Sequence, residues 1–281
     1  MEKYIENKKL IGFKNEEMFA NYLNNKRVKN LPPHYQEMII ELFGYVNFNS
    51  YLSCWVDRTK KKYDIVIKLD NKYRRVSIKM GVNNSVHTEG ISNFIHFLIE
   101  NNIPRDIVIK YLKYHYSDGT TNGKGTNRIS AKEYKELHIN DINEINSYFN
   151  KEEFIIKSIY RFVLQGTNSN TSVDGLIHGT VDDFLFISKK DIIDILLSHK
   201  NNVQNGVHIS DLFCQAKAKN LNFNPKYEKD RFCLQVKWFN ILDCIIEKKY
   251  INECRKREKN KYLILSVSGI YLVCFKELLF F

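Results

Sequence analysis

Clustered cysteine is missing from this chain. The six cysteines, at positions 54, 214, 233, 244, 254 and 274, contain no C-x-x-C pair and have no histidine at zinc-ligand spacing. Neither a metal knuckle nor a disulfide framework is indicated, and the cysteines read as reduced core thiols. A long apolar run is missing as well: the longest, LILSVSGIYLVCF, is far shorter than the roughly 20 residues that span a bilayer. The opening MEKYIENKKLIGFK is too charged for the apolar region of a signal peptide. Together these absences predict a soluble, cytoplasmic protein with no membrane partner. Acidic side chains are in deficit, 32 against 43 Lys and Arg, for a net charge of +11. Such an excess favours a polyanionic partner, because each phosphate contact releases counterions, and nucleic acid leads that class. A merely solvated basic surface is the alternative.

What is present is ample material for a core. Of 281 residues, 43% are apolar and 13% aromatic, enough for one large domain or two modest ones. Met18, Phe19, Tyr22 and Leu23 form one helical stripe, and after Pro32-Pro33 the residues Tyr35, Met38, Ile39 and Leu42 form another. Strands are expected over 51–55, 63–69 and 72–80, the last two turning at Asp70-Asn71. A buried helix follows through Ile91, Phe94, Ile95, Leu98 and Ile99, beginning at Ser85 or near Thr88. Residues 105–116 read as a helix ended by the polar loop SDGTTNGKGTNR. Another helix starts at Ser130 with Glu133 completing a capping box, and a further one is stopped by Gly166. Beyond the NSNTS linker, VDGLIHGT and FLFIS read as strands, KDIIDILLSH as a helix, and KYLILSV with IYLVCF as a terminal hairpin turned at Ser268-Gly269. A domain boundary is expected near residue 168.

The stretch RRVSIKMGVNNSVHTEG, residues 74–90, holds the chemistry. With Asp70-Asn71 as a two-residue turn, Leu69 pairs with Lys72, and counting outward sets Asp64 opposite Ser77. Cross-strand partners share a face about 5 Å apart and the diagonal neighbour, Lys79, lies about 7 Å away. Asp64, Ser77 and Lys79 therefore converge, while Tyr63, Ile65, Ile67, Val76 and Ile78 take the opposite, apolar face and pin the register by burial. A carboxylate facing a lysine can be no more than a weak ion pair. It is also what phosphodiester hydrolysis needs: a hard oxygen ligand for Mg²⁺ and a positive group beside the attacking water.

Asp64, twelve residues, then Ser77-Ile78-Lys79 on the second strand of a hairpin resembles the active-site signature of the PD-(D/E)XK nuclease superfamily, to which most type II restriction endonucleases belong. The resemblance covers roughly residues 10–100. Two positions depart from it: Tyr63 stands where the proline would be, and Ser77 where the second acid would be. A subgroup of restriction enzymes keeps Ser-x-Lys on the strand and draws the acid from the following helix, and Glu89 is similar in placement. The resemblance implies Mg²⁺ held by Asp64 and Glu89, a shell completed by Ser77, and a hydrolytic water activated by Lys79. Glu89 as mere first-turn helix charge is the competing reading, and Glu17 on the first helix is the reserve acid. His87 is an accessory candidate, though a packed or capping role is the commoner one for such a residue.

Other signals weigh less. "GIY" at 269–271 lacks its second half, and NGKG has no helix start of the P-loop kind. Lys124 and Arg128 in that loop are candidate backbone contacts. In 215–238, Lys217, Lys219, Arg231, Gln235 and Lys237 lie among aromatics and suit groove and phosphate contacts. The run ECRKREKNK reads as an exposed basic turn. The expected protein is α/β, with a restriction-endonuclease-like core of a mixed β-sheet flanked by helices over 1–167 and an α+β extension over 168–281. Its expected activity is Mg²⁺-dependent endonucleolytic cleavage of double-stranded DNA by a homodimer, whose symmetry would match a palindromic site. A non-catalytic DNA-binding protein on the same fold and a structure-specific repair nuclease are the rivals.

Overall fold

The computed structural model describes residues 2–267, apart from positions 60, 81–83, 168, 201, 203, 204 and 222. The chain runs through α1 (Glu2–Leu23), α2 (Pro33–Phe43), β1 (Leu52–Val56), β2 (Ile65–Leu69), β3 (Lys72–Lys79) and β4 (Ser85–Gly90). Then come α3 (Ile91–Glu100), α4 (Arg105–Tyr116), α5 (Ala131–Leu137), α6 (Ile139–Phe149) and α7 (Glu152–Ile159), which passes into a π-helical turn, Tyr160–Leu164. β5 (Gly175–Gly179), β6 (Phe184–Ser188), α8 (Lys189–Ser198), β7 (His208–Ile209), β8 (Leu212–Ala216), β9 (Cys233–Trp238) and α9 (Ile241–Val267) complete it. The chain forms an α/β unit over residues 1–241 and a second unit over 242–281. Among the described residues no helix is long and apolar enough to cross a membrane.

The α/β unit holds a five-stranded sheet, ordered β1-β2-β3-β5-β6, and a four-stranded one, ordered β4-β9-β8-β7. One face of the larger sheet, carrying Leu52, Cys54, Ile65, Ile67, Leu69, Val76, Ile78 and Ile177, packs on α1 and α2. Those helices contribute Phe19, Ala20, Leu23, Tyr35, Met38, Ile39 and Leu42, each large side chain adding about 1.5–3 kcal/mol on burial. Pro33 starts α2, where a fixed φ and a missing N–H cost nothing. The hairpin has the expected register, Leu69 opposite Lys72 and Ile65 opposite Val76, with Asp70 in the left-handed region at φ 51°. β3 is antiparallel to β2 on one side and parallel to β5 on the other.

Four expectations are corrected. Residues 85–90 are not a helix start: Ser85–Gly90 is a strand paired with β9, and α3 begins only at Ile91. The boundary near residue 168 falls between strands of one sheet, because β5 pairs with β3, and the compact units part at 241/242 instead. KYLILSV is helical, as part of α9, so it forms no hairpin, and 268–281 lies outside the described residues. ECRKREKNK is on the same helix, with Arg255, Lys256 and Arg257 exposed. Tyr63 is buried outside the α1–α2 core, with the Arg75 guanidinium 5.7 Å over its ring.

Candidate active site

Asp64 sits at the start of β2, where its N–H donates to the carbonyl of Val76 and its carbonyl accepts from Asp57. This extends the ladder by one step and sets its side chain against Ser77. Asp64 Oδ2 accepts from Ser77 Oγ at 3.0 Å and from the Ile78 N–H at 2.5 Å, and Lys79 Nζ lies 4.0 Å from it. All three contacts fall on one oxygen. Ser77 is fully buried, so its hydroxyl orients Asp64 and is not open to ligate an ion directly. Asp64 and Lys79 keep 23% and 30% of their side chains exposed, enough for a phosphate to reach them.

A second carboxylate comes from α1, one residue before the expected reserve. Glu16 is largely enclosed, 16% exposed, whereas Glu17 is 57% exposed; Arg58 bridges both, at 3.5 and 2.6 Å. Burial first, and then the charge of Asp64, push the Glu16 carboxyl up to about 7, against the opposing pull of Arg58 and Lys79. Asn15, adjacent to Glu16, donates to the carbonyl of Gly179 and ties α1 to the end of β5. That glycine has φ 133°, and a Cβ on it would lie 2.3 Å from the Asp183 carbonyl. The chain therefore requires glycine at the place where α1 docks.

His178 is the other residue the sequence reading missed. It pairs with Lys79 across β3–β5, which puts both on the face of Ser77, and burial pushes its imidazole down, favouring the neutral form. Lys62 donates from Nζ to the Val86 carbonyl at 2.5 Å, joining the approach to β2 with β4. Burial and the neighbouring Lys79 charge push its ammonium down to about 7.

Glu89 does not join the cluster. It lies in β4 with its side chain 3% exposed, its carboxylate taken bidentately by Arg161 Nε and Nη2 at 3.0 and 2.7 Å. Burial raises its carboxyl, but the nearby His87 and Arg161 outweigh that and hold it below the ordinary value. A carboxylate bound by a fixed guanidinium is a structural anchor, not a vacant ligand. His87, 3.6 Å from Glu89 Oε1 and packed against Phe162, is also buried, which lowers its basicity.

Most of the expected DNA-contacting residues are tied into the fold. Arg128 forks onto Glu228 at 2.7 and 2.6 Å. Arg231, 1% exposed, donates to the Tyr116 carbonyl at 2.6 Å and lies 3.6 Å from Asp118. Lys219, 4% exposed, donates to the Tyr114 carbonyl and to Ser117 Oγ; burial, with the Arg231 charge, pushes it down to about 7. Lys217 pairs with Asp230 at 3.0 Å. Gln235 bonds Ser85 and Gln215 at 3.3 and 3.5 Å. Lys237 is half-buried near the Phe239 ring, and of the seven Lys124 and Lys217 are exposed. Arg128, Lys219 and Arg231 hold the 117–129 loop, whose Asp118 accepts from the N–H groups of Thr120 and Gly125. No known family model matches the sequence, and no curated protein does.

Proposed function

We propose that this chain is a Mg²⁺-dependent endonuclease that cleaves double-stranded DNA, built on a restriction-endonuclease-like core. The observation that carries the reading is Asp64, fixed by Ser77 Oγ and the Ile78 N–H, with Lys79 Nζ 4.0 Å from its Oδ2 and both side chains partly exposed; the charge of Asp64, felt at Glu16 on α1, adds a second carboxylate to that neighbourhood. A mixed sheet flanked by helices, with this hairpin at its centre, supports the same conclusion. Asp64 and Glu16 would hold the ion through their carboxylate oxygens. Mg²⁺, when bound, supplies Lewis-acid polarisation of the phosphodiester and a more acidic water. Ser77 Oγ and the Ile78 N–H fix the rotamer of Asp64, which limits the reorganisation needed to bind. Lys79 orients the attacking water and offsets negative charge developing on the phosphorane oxygens. Two-fold cleavage by a homodimer is the form this activity takes at a palindromic site.

A second reading, cleavage directed by DNA structure and not by sequence, is favoured by one observation. Arg128, Lys217, Lys219 and Arg231, the basic side chains best suited to reading bases or gripping phosphates, already have partners in the fold. Incubation with supercoiled plasmid and Mg²⁺ at pH 8 tests both. We expect cutting that EDTA stops and that Lys79→Ala lowers by at least about 100-fold, the scale of losing one charge-stabilising group, with DNA affinity nearly unchanged. Discrete fragments indicate sequence recognition, and preference for branched or gapped substrates indicates the second reading. Absence of Mg²⁺-dependent cutting, or full activity in Lys79→Ala, overturns the proposal.

A further inference from the structure

The face of the larger sheet that carries Ser77 and Lys79 continues away from them as an open surface. The register sets Ser53, Lys68 and Tyr73 in one row across β1, β2 and β3, and Trp55, Val66 and Arg75 in the next. Alternation along each strand puts all six on the side of Ser77 and Lys79, opposite the α1–α2 core. Trp55 and Tyr73 reach across β2 to meet edge to face, ring centroids 6.2 Å apart at 77°. They cover Val66, which is 6% exposed, while remaining 42% and 45% exposed themselves. Lys68 Nζ lies 5.4 Å from the Tyr73 ring, and Arg75 stands one row nearer to Ser77. Within these three strands that face carries no carboxylate, and an acid on it, Asp64, comes one position before β2, beside Ser77 and Lys79.

A solvent-facing Trp–Tyr pair adds nothing to the core on the other side of the sheet, and it keeps apolar surface in water at a cost. Its surroundings are cationic, and its row leads along β3, Tyr73, Arg75, Ser77, Lys79, over about 20 Å at strand rise. We propose that Trp55 and Tyr73, with Lys68 and Arg75, form a stacking platform for an unpaired segment of DNA that leads into the Asp64–Lys79 site. Basic groups follow the phosphates and rings take the base faces, a combination that suits single strands. Duplex DNA keeps its bases stacked inside and offers the two rings nothing to stack on. The direction of the strand rests on the structure-directed form of the nuclease reading, in which an unpaired segment adjoins the duplex that is cut, whereas its binding does not.

The chain has two tryptophans, and Trp238 is fully buried, so stacking on Trp55 can be read directly. Full-length protein is titrated with a twelve-nucleotide oligothymidylate in EDTA, following tryptophan emission and the anisotropy of a labelled strand. Quenching is expected with the single strand and not with a blunt duplex of equal length. Trp55→Ala and Tyr73→Ala should each weaken single-strand binding by about 5- to 150-fold, the stacking increment per base converted at a factor of ten per 1.4 kcal/mol. Trp55→Phe should restore most of the affinity while abolishing the quench, and all variants should keep a cooperative urea transition that leaves them folded in the binding buffer. Unchanged affinity in folded Trp55→Ala, or equal quenching by duplex, overturns the platform. Quenching without plasmid cutting leaves the platform standing and removes the nuclease; cutting without quenching does the reverse.

Discussion

Glu16→Gln removes a charge that the folded protein holds at a cost. The Glu16 carboxyl titrates near 4.5 in an unfolded chain and about 7 here, so between those pH values the folded state binds more protons. Stability from this group is full below about 4.5 and is lost as pH rises through 7. The shift corresponds to about 3 kcal/mol, and partial solvent access reduces it to about 1–2 kcal/mol. In EDTA at pH 8, Glu16→Gln should therefore be more stable than wild type by about 1–2 kcal/mol, and at pH 4 the two should agree to within about 0.5 kcal/mol. Arg58 retains Glu17 at 2.6 Å, so little is lost on that side. Mg²⁺ should close most of the gap: at an ion concentration ten times Kd the wild type gains about 1.4 kcal/mol, and the variant gains almost nothing. Urea unfolding at both pH values, with and without Mg²⁺, measures all of this. A variant that is less stable at pH 8, or that keeps the full Mg²⁺ gain, refutes the assignment of Glu16 to the metal site.

Three further outcomes follow from named contacts. Glu89→Ala strands the Arg161 guanidinium and should cost about 3 kcal/mol in urea, while Glu89→Gln should still cut plasmid with Mg²⁺; loss of Mg²⁺ binding in that variant would return Glu89 to the metal. Ser77→Ala deletes the hydroxyl that orients Asp64 and should lower kcat/KM about tenfold, worth about 1.4 kcal/mol; unchanged kinetics would show that the Ile78 N–H suffices alone. Arg231→Ala frees Asp118 and the Tyr116 carbonyl, so hydrogen exchange at the Gly125 amide should accelerate while DNA affinity stays unchanged, and a selective loss of affinity would restore Arg231 to the DNA surface.

The hairpin was legible because its information is local: Asp70-Asn71 fixes the register and the alternation of Ile65, Ile67, Val76 and Ile78 repeats it. Glu16 was legible in principle. It precedes Phe19, Ala20 and Leu23 by three, four and seven positions, the spacing of one helix face, and those three are buried. Glu17 was placed on the first helix by the resemblance alone, without regard to that face, and it lies outside it, 57% exposed. Residues 85–90 were misread because SVHTEG has no alternation of its own and is a strand only through β9, more than 140 positions away. The basic residues of 217–231 were misread for the same reason. Their partners, Tyr114, Tyr116, Ser117, Asp118 and Arg128's Glu228, lie either about a hundred positions off or in segments with no periodic signal.

The parallel pairing of β3 with β5 has a consequence for how the protein is made. Asp64 and Lys79 can meet as soon as their hairpin has emerged from a ribosome, yet Val76 waits for Gly175, 99 positions later. At about 5–20 residues per second that interval is about 5–20 s. Throughout it the strand that bears Ser77 and Lys79 exposes a row of unpaired N–H and C=O groups flanked by Val76 and Ile78, a template for pairing with another nascent copy. Slowing translation between α3 and α7 should lengthen that window and raise the insoluble fraction, whereas an unchanged yield would mean that the helices arriving in between already shield the edge.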